Sequence, residues 1–98
     1  MIELTSKQRK SLEKIACSLS PVVIVGQNGV TKSLIEKTAQ ELEIHELIKV
    51  KFNDFKDDKR ELTETICNEC SALLVRIIGN VAILYKEQED PEKRKITI

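Results

Sequence analysis

Residues 22–33 read Val22-Val23-Ile24-Val25-Gly26-Gln27-Asn28-Gly29-Val30-Thr31-Lys32-Ser33. The first four are apolar without alternation, which predicts a strand buried on both faces rather than one. Gly26-Gln27-Asn28-Gly29 interrupts it as a G-x-x-G loop, and Val30, Leu34, Ile35 and Leu42 then recur at helical spacing. A strand that runs through a glycine loop into a helix N-terminus points backbone N–H groups outward at the positive end of a helix dipole. That is a physical site for a phosphate.

The flanking sequence extends this pattern in both directions. Upstream, Thr5 and Ser6 are candidate N-caps for a helix to about Leu19, with Leu12, Ile15, Ala16 and Leu19 on one stripe. Lys7, Lys10 and Lys14 lie opposite that stripe, and Pro21 stops the helix. Downstream, a second helix is expected from about Thr31 to Ile44, burying Leu34, Ile35, Thr38, Ala39 and Leu42. Leu47–Phe52 alternates, with Ile48, Val50 and Phe52 on one face and Lys49 and Lys51 on the other, as a strand does.

A third helix follows from about Asp57 to Ser71, and Gly79-Asn80 joins strands Leu73–Ile78 and Val81–Lys86 as a hairpin. The order is αβαβαββ, an α/β alternation in a two-layer α+β arrangement, whose crossover helices require some parallel pairing in a four-stranded mixed sheet. Residues 1–86 make one domain, and 87–98, charged and containing Pro91, read as a loosely held tail.

Ninety-eight residues suffice for one core, and a composition of 41% apolar and 33% charged residues is that of a soluble globular protein. No apolar stretch approaches the roughly 18 residues of a membrane span, nor is there a signal-peptide core, so a cytoplasmic protein is expected, without a membrane partner. The formal net charge of zero argues against non-specific coating of nucleic acid. Its distribution is uneven, however: basic residues outnumber acidic ones five to two in residues 1–35 and are outnumbered ten to six in residues 36–70.

Cys67-Asn68-Glu69-Cys70 has C-x-x-C spacing, but only Cys17 and His45 remain to complete a zinc site, and a redox motif would open a helix rather than end one. Reduced, buried cysteines are the expectation, with no metal and no cofactor, and His45 reads as a capping or surface histidine.

Three readings compete for the glycine loop. A hairpin is disfavoured because the second flank does not alternate; a plain structural turn remains open. A P-loop would need glycine where Thr31 stands before Lys32-Ser33, and no later strand ends in an obvious metal-holding aspartate. A nucleotide-binding enzyme is therefore the weakest reading, and neither a catalytic residue nor a small-molecule substrate is assigned.

The third reading is a clamp on a nucleic-acid backbone, as in KH domains, whose GXXG loop holds four nucleotides. Gly26 and Gly29 would admit the backbone, Gln27 and Asn28 would hydrogen-bond it, and Lys32 with Lys7, Lys10 and Lys14 would neutralise it. Lys49, Lys51 and Arg76 are second-rank candidates on a sheet face that a helix could cover. With only Phe52, Phe55 and Tyr85 as aromatics, an RRM-type stacking surface is not expected.

Several pieces in order resemble the YhbY-type proteins, the free-standing form of the CRM domain (chloroplast RNA splicing and ribosome maturation). They are Leu4-Thr5, Gln8-Arg9, Pro21, Val25-Gly26-Gln27-Asn28-Gly29-Val30, His45-Glu46-Leu47-Ile48-Lys49-Val50-Lys51, Leu73-Leu74-Val75-Arg76-Ile77-Ile78-Gly79 and Ile83-Leu84-Tyr85-Lys86. The resemblance implies a fold like the C-terminal domain of translation initiation factor three, RNA binding through the loop, and no catalysis. It also implies that a free-standing protein of this kind associates with ribosomal RNA in precursors of the large ribosomal subunit; separately from the resemblance, a monomer is expected. Gln27 and Asn80 depart from it, each standing where the family often carries a basic residue. A ribosome-associated adaptor working through the acidic stretch Glu36–Glu69 is the alternative.

Overall fold

The computed structural model describes residues 3–96. Helix α1, Ser6–Ala16, opens on a reciprocal capping box: the Thr5 hydroxyl accepts from the Gln8 amide at 3.1 Å, and the Gln8 side chain accepts from the Thr5 amide at 3.0 Å. It stops at Ala16, short of the expected Leu19, although Leu19 still packs against the core that α1 covers. Strand β1 is Val23–Val25, and helix α2 is Lys32–His45, where the Thr31 hydroxyl caps the Leu34 amide at 3.1 Å.

Strand β2 is Leu47–Phe52. Helix α3 is Lys59–Cys70, starting two residues later than expected because Lys56–Asp58 form a 3-10 turn. Strands β3, Leu73–Ile78, and β4, Val81–Tyr85, make the expected hairpin, with Gly79 at a φ of 58°.

The sheet order is β1-β2-β4-β3. β1 and β2 run parallel across α2, while β4 lies antiparallel to both β2 and β3. Insertion of β4 between β2 and β3 satisfies the second crossover without adjacent parallel strands. The alternation read from Leu47–Phe52 then separates two cores. Ile48, Val50, Phe52, Ala82 and Leu84 pack with Leu42 of α2 and with Ile66, Cys67 and Cys70 of α3. On the opposite face Leu47, Val75, Ile83 and Tyr85 pack with Leu12 and Ala16 of α1. The sheet and the α2/α3 pair form the two main layers, and α1 covers part of the other face.

Two polar devices close this frame. β3 carries a bulge between Leu74 and Arg76, and the Arg9 guanidinium donates to the carbonyls of Leu74 and Val75 at 2.6 and 2.7 Å, satisfying acceptors there. Glu46, at the C-terminal end of α2, has a φ of 63° and is 1% exposed. Its carboxylate accepts from the amides of Gln88 (2.9 Å), Ile96 (3.2 Å) and Lys95. Residues 87–96 of the segment expected to be loose therefore fold back onto a buried acceptor, with an Arg94–Glu87 ion pair at 3.3 Å inside them; Thr97 and Ile98 lie outside the described residues.

Candidate nucleic-acid interface

Gly26–Gly29 is a tight turn: the Gly29 amide donates to the Gly26 carbonyl at 3.0 Å, and Gly29 adopts a φ of 68°, a conformation that costs any L residue. Gln27 and Asn28 project at its tip, exposed, and among the described residues their backbone amides engage no hydrogen bond. Lys32 is exposed in the first turn of α2, so its ammonium and the helix dipole act on the same space.

Two further loops converge on this end of the sheet. Asn53 and Asp54 donate to the Val25 carbonyl at 3.0 and 3.3 Å, which holds the exit of β2 against the glycine turn. The Phe52 amide donates to the Asn80 carbonyl at 2.8 Å, which brings in the β3–β4 turn. Beside it the Lys59 ammonium stands 3.4 Å from the Asn80 side-chain oxygen. A positive charge thus accompanies Asn80 after all, delivered from α3.

Strand register fixes the adjoining sheet surface. Ile24 faces Lys51, Lys51 faces Val81, and Val81 faces Ile78, so these four form one row across the sheet. α1 leaves this row open: Ile24 and Ile78 are 54% and 52% exposed, and Lys51 is exposed. The row below is Lys49, Ile83 and Arg76, and it is engaged. Lys49 donates to the Leu19 carbonyl at 3.0 Å, and Arg76 pairs with Glu13 of α1 at 2.8 Å.

The candidate residues therefore divide into groups. Gly26, Gln27, Asn28, Gly29 and Lys32 are contiguous, and Lys51 lies on the open face. Arg76 serves α1, and Lys49 the segment that follows it. Lys7, Lys10 and Lys14 are exposed on the outer side of α1, away from Leu12 and Ala16. Sequence reasoning missed Ile24, Ile78, Lys59 and Phe55. Phe55 is 45% exposed, at a φ of 56° and ψ of 36°, and its ring lies 3.4 Å from where a Gly29 Cβ would stand. Strand alternation could have exposed Ile24, but an all-apolar run hides which of its faces is solvated.

Cys67 and Cys70 are buried in the α2/α3 core, and burial pushes the Cys67 thiol up to about 11, with Cys70 and Glu64 adding to the shift. Burial also raises Cys70. Both are held as neutral thiols, the form that packs and does not react. Among the described residues no cluster of three or more His, Cys, Asp or Glu side chains could hold a metal, and no helix is long and apolar enough to cross a membrane.

A small α+β domain with loops gathered at one end of a mixed sheet defines a class, and comparison with known proteins defines the family. The model of the CRS1 / YhbY (CRM) domain matches residues 4–86, and the chain belongs to that family. It is 37% identical over 91 residues to the probable RNA-binding protein PA4753 of Pseudomonas aeruginosa, covering 92% of this chain and 88% of that one. It is 38% identical over 88 residues to the probable RNA-binding protein YqeI of Bacillus subtilis, covering 89% and 92%. The solution structure of SAV1595 from Staphylococcus aureus, described as an RNA-binding candidate, superposes with a TM-score of 0.78 at 33% identity, over 97% of this chain and all of that one.

Proposed function

We propose that this protein binds RNA through the Gly26–Gly29 turn and acts, as a cytoplasmic monomer without catalytic activity, on ribosomal RNA in precursors of the large ribosomal subunit. RNA binding follows from the family and from the names its relatives carry. The ribosomal target follows from the family resemblance. The observation that carries the role of the loop is the pair of unengaged Gln27 and Asn28 amides on a fixed turn at the head of α2. Two phosphate oxygens approaching there meet donors whose position is already set by the Gly29–Gly26 hydrogen bond, so little ordering is required on binding.

Lys32 supplies the nearest charge, Lys51 and Lys59 the next, and Lys7, Lys10 and Lys14 reach RNA that continues over α1. With about four phosphates neutralised, the logarithm of affinity falls against the logarithm of salt with a slope near −3 for a single strand. The test is capture of pre-ribosomal particles from lysate with the wild-type protein and with Gln27→Asp/Asn28→Asp. Ribonuclease-sensitive capture, lost in the double variant with unfolding unchanged, supports the reading. Capture that survives both ribonuclease and the substitutions replaces it with an adaptor working through the acidic surfaces of α2 and α3.

A further inference from the structure

We propose that the Phe55 ring is a stacking platform for one unpaired base of the single-stranded RNA whose backbone rests on the Gly26–Gly29 turn, an inference that depends on that reading of the turn. Of the three aromatic residues, Phe52 and Tyr85 are fully buried, whereas Phe55 stands nearly half in solvent. Core packing therefore does not explain it. Its backbone occupies the left-handed region, which is strained for any side chain, and its side chain makes no cap for the turn that follows.

The ring is nonetheless braced. Cδ2, Cε2 and Cζ lie 3.4–3.9 Å from the Cβ position that Gly29 leaves empty, so one edge of the ring is seated on the glycine turn itself. An aromatic held this way offers its apolar surface with little rotamer freedom left to lose. The chemistry around it selects what it accepts. Phe55 shares a shallow concavity with Asn53, Asp54, Lys56, Asp57 and Asp58. Three carboxylates there disfavour a phosphate but accept hydrogen bonds from the exocyclic amino group of a base. Phosphate and base are thereby sorted onto neighbouring surfaces, the former to the turn and Lys32, the latter to Phe55. One ring takes one base, unlike the multi-aromatic surface of an RRM.

The chain has no tryptophan, so Phe55→Trp places a single indole at the proposed contact, one that can be excited selectively over Tyr85. Titration with a short single-stranded RNA of mixed sequence should quench it, and Phe55→Tyr should bind like wild type. Phe55→Leu, which still covers Gly29, should bind roughly 5–150-fold more weakly with an unchanged salt slope, because the lost interaction is not ionic. Wild-type affinity in Phe55→Leu together with an unquenched Phe55→Trp overturns the platform and leaves the loop reading standing. Absence of RNA binding by the wild type overturns the loop reading, and the platform with it.

Discussion

The two glycines of the loop should respond in opposite ways to the same methyl group. At Gly29 the φ of 68° places an alanine in the left-handed region, at a cost of about 1–2 kcal/mol. The added Cβ would meet Phe55 at 3.4 Å, an ordinary contact that adds little to this. At Gly26 a Cβ would find nothing within 4 Å, and the φ lies outside the left-handed region. There the reduced freedom of the unfolded chain gives a change between zero and about 1 kcal/mol of stabilisation. For a domain of this size each kcal/mol moves Tm by roughly 4–8 °C, so Gly29→Ala should melt about 4–16 °C below wild type and Gly26→Ala no lower than it.

Urea titration by circular dichroism and RNA affinity by anisotropy separate stability from function. Gly26→Ala should keep or raise its midpoint and lose affinity, since its methyl stands in open space that an approaching backbone would fill. Equal stability of the two variants would refute the conformational argument. Undiminished RNA binding by Gly26→Ala would refute close approach at that residue.

Other expectations follow from the same structure. Native protein should alkylate at the exposed Cys17 alone, with Cys67 and Cys70 reacting only on unfolding; rapid labelling of all three would contradict their burial. Tyr85 is the sole tyrosine, and burial, with Glu87 and Glu46 nearby, pushes its phenol from 10.0 to about 12. Above pH 10 the unfolded chain loses this proton while the folded one keeps it, so this group's contribution to stability is intact below pH 10 and is lost as pH rises towards 12. Phenolate absorbance appearing near pH 10 in folded protein would contradict it. Glu46→Ala removes the acceptor of three tail amides, with an expected loss of about 1–3 kcal/mol and faster proteolysis within residues 87–96. Wild-type proteolysis would show that Glu46 does not hold the tail.

Local signals carried much of the architecture into view from the sequence. The Thr5 cap, the hairpin at Gly79-Asn80 and the strand–turn–helix at residues 22–33 each depend on neighbours within a few positions. What stayed hidden depends on partners far along the chain. Arg9 reads as one more base on a basic helix until the β3 bulge supplies its carbonyls, and Arg76 reads as free until Glu13 meets it. Glu46 resembles a surface residue at a helix end because its partners lie more than forty positions away. Phe55 reads in the sequence only as one of too few aromatics for a stacking sheet, since its seat on Gly29 comes from the meeting of two loops. Lys59 likewise reaches Asn80 only in space, which is why the charge missing at position 80 seemed lost.

The most direct measurement is backbone amide chemical-shift mapping while a short single-stranded RNA is titrated into labelled protein. The largest changes should fall on Gln27, Asn28, Gly29 and Lys32, with smaller ones at Phe55 and along the Ile24–Lys51–Ile78 row. Changes confined to the acidic faces of α2 and α3, with the Gly26–Gly29 amides unmoved, would contradict the account.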